Sequence, residues 1–133
     1  MKKDSTRQPT KLPNIRYKTI PHKEQRYDTC GDYWLTKKGD WEIRVSDMGE
    51  DYEFLVLVHE LIEFYLTQKR GIAEEDITYF DTHEGKDSEE PGLMKYAPYH
   101  REHVFADKIE RMVCKELGLD WDEYDKAISK LIF

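Results

Sequence analysis

The chain has 133 residues, of which 37% are charged and 38% hydrophobic, and its formal net charge is −7. This length suits one domain with a core of its own. No window is apolar for long enough to cross a bilayer, and the basic N-terminus lacks the apolar segment of a signal peptide. We therefore expect a cytoplasmic protein with no membrane partner. Cys30 and Cys114 form no CxxC pair, which predicts free thiols.

Positive charge is concentrated at the N-terminus. Residues 1–26 hold eight lysines and arginines against two acidic residues. We expect residues 1–12 to be a disordered basic leader and residues 13–133 to form a single α+β domain. The basic arm leaves a contact with nucleic acid or with an acidic partner open. Because no nucleic-acid-binding motif follows it, nucleic acid is not the partner we expect.

The first third of the chain predicts strands. The segment "IRYKTI", Ile15–Ile20, alternates between apolar and polar residues. Trp41–Ser46 does the same, which is the period of a half-buried strand. With Tyr33–Thr36 it is expected to form a β-hairpin, in which Gly39 takes the left-handed position of the turn.

The remainder predicts three helices. Asp47 and Glu50 outline a capping box for a helix over residues 50–69, which Gly71 ends. Residues 71–81 are expected to form a short connecting element, and 82–92 an acidic loop. Pro98 should begin a second helix that reaches Gly118, and Asp120 should cap a third over 121–130. The predicted fold class is α+β, with an N-terminal β-hairpin or small sheet packed on three helices.

The first helix contains "LVLVHELIEFYL", an apolar segment interrupted by ionisable residues. On a helical wheel, apolar side chains cover most of the circumference, which indicates a central helix packed on several sides. His59, Glu60 and Glu63 collect in the remaining stripe. Charged groups are rarely buried without partners, so the stripe faces either water or an internal polar site.

His59 and Glu63 are i,i+4 neighbours and lie one turn apart on the same face. Two ligands at this spacing can hold one metal ion, and a glutamate next to the first ligand can reach a metal-bound water. HExxH helices work in this way. Here the pattern is HExxE. A carboxylate is an accepted zinc ligand, and it also widens the choice of metal to manganese or iron.

The strand "WEIRV" followed by the "HELIE" helix resembles the core of zincin-type metallopeptidases over about residues 41–69. The resemblance implies a zincin-like core, with His59 and Glu63 as metal ligands and Glu60 as the general base. The whole chain also resembles small phage and prophage proteins of unassigned function, which carry an "HELxE" helix and a later "YHxxH" helix.

The third ligand is expected from the helix that follows Pro98. Its predicted apolar face carries Phe105, Ile109, Met112 and Val113. His103 and Glu110 lie at the flank of that face beside Ala106, whose small side chain lets another helix approach. We predict His103 as the ligand, with a satisfied interface histidine as the alternative.

Further side chains of the same helix form a second group of candidates. Glu110 is expected to support a ligand or to pair with Arg111 or Lys115. His100 and Asp107 lie towards solvent, where Asp107 could pair with His103. Glu102 falls within the apolar face and needs a partner.

Three functions remain open. The first is a divalent-metal-binding protein, with zinc as the expected ion, that acts as a zincin-like hydrolase on a small molecule or peptide. The second is a non-enzymatic phage accessory or interaction protein, in which HExxE is a charged helix edge. The third is a magnesium-dependent nucleotide pyrophosphohydrolase that uses Glu60, Glu63, Glu102 and Asp107.

Overall fold

The computed structural model describes residues 14–132 and has an α+β architecture, with a small sheet and four helices in that part of the chain. The predicted leader, residues 1–12, lies outside the described residues. The strands are β1 (Ile15–Ile20), β2 (Gly31–Leu35) and β3 (Trp41–Ser46). The helices are α1 (Glu50–Lys69), α2 (Glu74–Thr82), α3 (His100–Glu116) and α4 (Trp121–Leu131).

The three strands form one sheet in the order β1-β3-β2. β2 and β3 pair in antiparallel fashion, which confirms the predicted hairpin, although β2 begins two residues earlier than expected and ends at Leu35. Gly39 has a φ of 89°, which confirms the left-handed turn position. β1 pairs with β3 in parallel. This pairing places the chain's first strand on the far side of β3 from β2.

Helix α1 has the predicted bounds, but the predicted cap is wrong. Gly49 is the N-cap residue and no side chain caps the helix from that position. The Glu53 carboxylate instead accepts hydrogen bonds from the backbone N–H groups of Met48 and Gly49, each at 2.8 Å. The acceptor therefore comes from inside the first turn, where a carboxylate also complements the helix dipole.

The connecting segment after Gly71 contains a fourth helix, α2, where only a short connecting element was expected. Three acidic residues occupy its first turn, and Ile77 and Phe80 are buried one turn apart. Favourable charge at the N-terminus and one apolar stripe are sufficient for a short helix that packs on its neighbours.

Helix α3 begins at His100, with Tyr99 as its N-cap, and not at Pro98 as predicted. The His100 N–H donates to the Ala97 carbonyl, so Pro98 belongs to the turn that precedes the helix. The last helix has the predicted cap, because Asp120 accepts from the N–H groups of Asp122 and Glu123.

Helix α1 packs against β2, β3 and α3. Its contact with the sheet forms an apolar core around Ile43, Leu55 and Phe64, which are at most 1% exposed. Packing on several sides, as predicted, leaves one side of the helix partly open, where Phe54, Leu61 and Tyr65 remain 41–49% exposed. The polar stripe of α1 faces inward towards α3.

The predicted buried face of α3 is wrong. Phe105 and Met112 are 47% and 66% exposed, and the helix instead buries a mainly polar row of side chains. That row consists of Glu102, His103, Ala106, Glu110 and Cys114. Burial of this face is favourable because its polar side chains have partners on α1 and α4. The number of apolar residues on each face of the helix does not predict such partners.

Cys30 and Cys114 are free thiols, as predicted. Within residues 14–132, no helix is both long and apolar enough to cross a membrane.

Candidate metal centre

Three side-chain atoms meet where α1 crosses α3. His59 Nε2 lies 3.2 Å from Glu63 Oε2 and 3.1 Å from His103 Nδ1, and the latter two atoms are 2.8 Å apart. All three residues are at most 9% exposed. The structure therefore brings together the two residues of the HExxE helix and the predicted third ligand, as one of the groups that could hold a metal ion.

The spacing of these atoms matches the requirement of a small divalent ion. Ligands about 2.0–2.1 Å from a tetrahedral zinc ion stand about 3.3 Å from one another. The three observed separations are about 0.1–0.5 Å shorter, so small side-chain rotations would admit an ion. A two-histidine, one-carboxylate set is also a known donor set for catalytic zinc.

His59 is held in a ligand orientation by a chain of hydrogen bonds. Its Nδ1 atom donates to Glu110 Oε1 at 2.7 Å, and Tyr124 donates a short hydrogen bond to the other oxygen of Glu110. A histidine that donates one ring N–H to a carboxylate presents the lone pair of its other nitrogen to a metal. Glu110 is thus a buried hydrogen-bond partner of His59 and would support this residue as a metal ligand, the first of its two predicted roles.

His103 has an equivalent partner in Glu90. Its Nε2 atom lies 3.2 Å from Glu90 Oε1, which leaves Nδ1 for the metal. The backbone of Gly92 lies against the imidazole, since a Cβ atom added there would be 2.3 Å from His103 Cγ. The turn that contains Gly92 therefore restricts the ring from one side.

Glu63 is oriented by Tyr33 of β2, whose hydroxyl donates to Glu63 Oε1 at 3.1 Å. Burial alone would raise the pKa of Glu63, but hydrogen bonds from His103 and His59 outweigh it and lower the pKa to about 2. For His103, burial lowers the pKa, yet Glu63 and Glu90 raise it overall to about 9. A cation, whether protons or a metal, is thus favoured between these groups.

Glu60 lines a cavity of about 330 Å³ that also contains the three ligand residues. Burial raises its pKa well above the usual range, and the nearby charge of Glu63 adds to this. Within residues 14–132 its carboxylate has no hydrogen-bond or ion-pair partner. Gly31 permits its position, because a Cβ atom there would be 2.8 Å from Glu60 Oε2. A raised pKa and a free carboxylate suit proton transfer in a site.

The remaining candidates have other partners. Glu102 is buried and accepts from Arg70 at 2.9 Å, which supplies the partner that it was expected to need. His100 Nδ1 contacts the Gly92 carbonyl at 3.0 Å. The predicted pair of Asp107 with His103 does not form. Asp107 instead accepts a hydrogen bond from Arg111 at 3.4 Å.

Asp107 nevertheless lies near the centre. It belongs to two further groups that could hold a metal ion, one with His59 and Glu110 and the other with Glu90 and His103. Carboxylates can thus supply additional oxygen ligands at the edge of the site.

Sequence reasoning missed Glu90, Tyr33 and Tyr124. Glu90 belongs to the acidic loop, in which eight of the eleven residues from 82 to 92 are polar or charged. No periodicity marks it. Tyr124 follows Asp120 by one helical turn, so its position on the helix was predictable, but its contact with Glu110 depends on how α4 packs on α3.

The chain matches no protein-family model, no curated protein and no solved structure.

Proposed function

We propose that the protein binds one divalent metal ion through His59, Glu63 and His103, and that zinc is the expected ion. The observation that carries this proposal is the convergence of three buried donor atoms, all within 3.2 Å of one another. His59 and His103 each have a carboxylate behind the other ring nitrogen. Manganese or iron would fit the same donors, because imidazole and carboxylate ligands suit all three ions.

We further propose that the centre is that of a metal-dependent hydrolase with a zincin-like core. Support comes from β3 leading into α1, from the HExxE spacing, and from Glu60, which lines the same cavity as the ligands. A bound metal would lower the pKa of a coordinated water and polarise a carbonyl group. Glu60 would accept the proton of the attacking water, and the cavity would take a small molecule or one segment of a peptide.

The two other functions have less support. In an interaction protein with a charged helix edge, His59 and Glu63 would meet water, but they are 6% and 4% exposed. A magnesium-dependent pyrophosphohydrolase would need Glu102 beside Glu60 and Glu63. Glu102 pairs with Arg70 instead.

Elemental analysis tests the metal proposal. The protein would be purified without chelator and without nickel resin, and then equilibrated with zinc. We expect about one zinc ion per chain, together with a higher melting temperature, because an ion that binds only the folded state stabilises it. His103→Ala should lose the zinc.

His83→Ala is the matched control, because His83 is an exposed histidine at the end of α2 whose ring contacts Tyr79 and Thr82. It should retain the zinc. The proposal would be refuted if the wild-type protein held no zinc, manganese or iron and its melting temperature did not change when each of these metals was added.

A further inference from the structure

The tyrosine and threonine hydroxyl groups in the cavity wall have already used their protons. Each of the four tyrosines that line the cavity donates to a carboxylate: Tyr27 and Tyr99 to Asp81, Tyr33 to Glu63, and Tyr124 to Glu110. The three threonines of the wall also donate to protein oxygens. These groups therefore offer lone pairs, and a molecule that binds to them must supply the hydrogen-bond donors.

The cavity wall is also negatively charged, which favours a ligand that carries hydrogen-bond donors and positive charge. Ten aspartate and glutamate side chains line the cavity, but Lys86 is the one lysine or arginine among the lining residues that the structure describes. Some of the charge is compensated, since Arg26 pairs with Asp32 at 2.6 Å and Arg111 with Asp107 at 3.4 Å. A cleft with walls of one sign concentrates the opposite charge.

Asp81 is the most distinctive of these carboxylates. It is 9% exposed, and it accepts from Tyr99 at 2.6 Å and from Tyr27 at 2.8 Å, one phenol on each oxygen. No lysine, arginine or histidine pairs with it within residues 14–132. Burial raises its pKa to about 6 although both phenols donate to it. Asp81 is thus a buried carboxylate whose two hydrogen-bond partners are both uncharged phenols.

Tyr99 connects Asp81 to the metal centre. Its hydroxyl binds Asp81, and its ring meets the His103 ring edge-on with 6.0 Å between centroids. A ligand group at Asp81 would therefore lie on the far side of Tyr99 from the metal ligand. That separation suits a substrate whose binding group and reacting group are different parts of one molecule.

We propose that this cavity recognises a cationic substrate, and that its guanidinium or ammonium group pairs with Asp81 between the phenol oxygens of Tyr27 and Tyr99. Such groups carry donors and no acceptors, which complements a wall of acceptors. Asp81 is here a specificity-determining residue. The inference deepens the proposed function, because it names the chemical class of the substrate for that centre.

Calorimetric titration with propylguanidinium and with propylurea tests the proposal. The two probes have nearly the same shape, differ in charge, and neither is an amine that could bind zinc through a nitrogen lone pair. Both the zinc-loaded and the metal-free protein would be titrated. We expect propylguanidinium to bind about tenfold more tightly than propylurea or better, as for a hydrogen bond to a charged group.

Asp81→Asn should abolish this preference while zinc binding persists. Asp76→Asn, an exposed aspartate on the same helix, is the charge-matched control and should keep the preference. Tyr27→Phe retains the Asp81 charge and removes one phenol oxygen, so it should reduce the preference by a smaller factor. This variant provides a second test where Asp81→Asn fails to fold.

The outcomes separate the two proposals. Equal affinity for the two probes in wild-type protein, or a preference that survives in Asp81→Asn, overturns the cation subsite and leaves the metal centre intact. A preference in protein that binds no zinc supports the subsite and refutes the metal centre.

Discussion

Glu63 occupies the position at which an HExxH pattern has its second histidine, and its hydrogen bonds fix the direction of its carboxylate. One of its oxygens faces both imidazoles, and the other accepts from Tyr33. A carboxylate with one oxygen fixed by a phenol presents the other in a defined direction. The i,i+4 spacing was apparent from the sequence. The contact with Tyr33 was not, because Tyr33 belongs to a strand thirty residues away in the chain.

The proposed role of Glu60 in proton transfer can be tested separately from metal binding. Glu60→Gln preserves the shape of the side chain but removes the proton acceptor. We expect zinc content to stay unchanged, while hydrolysis of any substrate that wild-type protein cleaves falls by about 10²–10⁴-fold, the usual contribution of general acid–base catalysis. The measurements are elemental analysis and a screen with chromogenic esters and labelled peptides.

Glu50→Gln is the control, since Glu50 is an exposed glutamate in the first turn of the same helix. It should leave both readouts unchanged. Full activity in Glu60→Gln would remove Glu60 from the reaction.

Among the elements, α1 was the most predictable, since its bounds and its polar stripe both followed from the sequence. Helix α3 was less so, because its buried side is polar and its exposed side carries Phe105 and Met112. Periodicity reports which residues are apolar, whereas burial depends on which partners are available. The short 3-10 helix Pro91–Leu93 was not predicted, since residues 82–92 were expected to be loop, although its Gly92 lies against His103.

Gly92→Ala tests that turn. The added methyl group would lie within 2.3–2.8 Å of three atoms of His103, so the ring must move. We expect zinc affinity to fall by about 10–100-fold, as when a group that orients a metal ligand is lost. Competition with a chromogenic chelator would measure it.

Gly39→Ala provides the comparison. Gly39 has a φ of 89° and no atom within 4 Å of an added Cβ, so the substitution strains a turn that does not line the cavity of the candidate centre. It should lower stability by about 1–2 kcal/mol, the cost of a left-handed residue, and leave zinc affinity unchanged. Equal zinc affinities in the two variants would show that Gly92 does not position His103.

On the scale of the whole molecule, the candidate centre joins elements that are distant along the chain. His59 and Glu63 come from α1, His103 and Glu110 from α3, Tyr33 from β2 and Tyr124 from α4. Any change that separates α1 from α3 should therefore disturb the ligands. Metal binding and folding are expected to be linked, because the unfolded chain cannot bring these groups together.

The pH dependence of zinc affinity tests this assembly. In metal-free protein, burial lowers the pKa of His59 but Glu110 and Glu63 raise it well above the usual value, and the pKa of His103 is raised to about 9. His103 therefore holds a proton near pH 7, which zinc would have to displace, and the raised pKa of His59 adds to this competition. Zinc affinity should rise with pH from 6 to 8.

Displacement of one proton corresponds to a Kd that falls by about tenfold per pH unit, and a second displaced proton raises this factor to at most about 100. Chelator competition at pH 6, 7 and 8 would measure the slope. A Kd that does not change over this range would contradict the arrangement in which the imidazoles lie directly between carboxylates and the ion.

The sequence by itself determined the α+β class, the hairpin, the bounds of α1, and His59, Glu60 and Glu63 as one stripe, because these follow from spacing along a regular backbone. It also indicated His103 as the third ligand, but left an interface histidine as an equal alternative. The tertiary structure decided the convergence of the three donor atoms, and the contacts of Glu90, Tyr33, Tyr124 and Asp81. These contacts depend on the angles at which separate elements pack, and local periodicity carries no information about those angles.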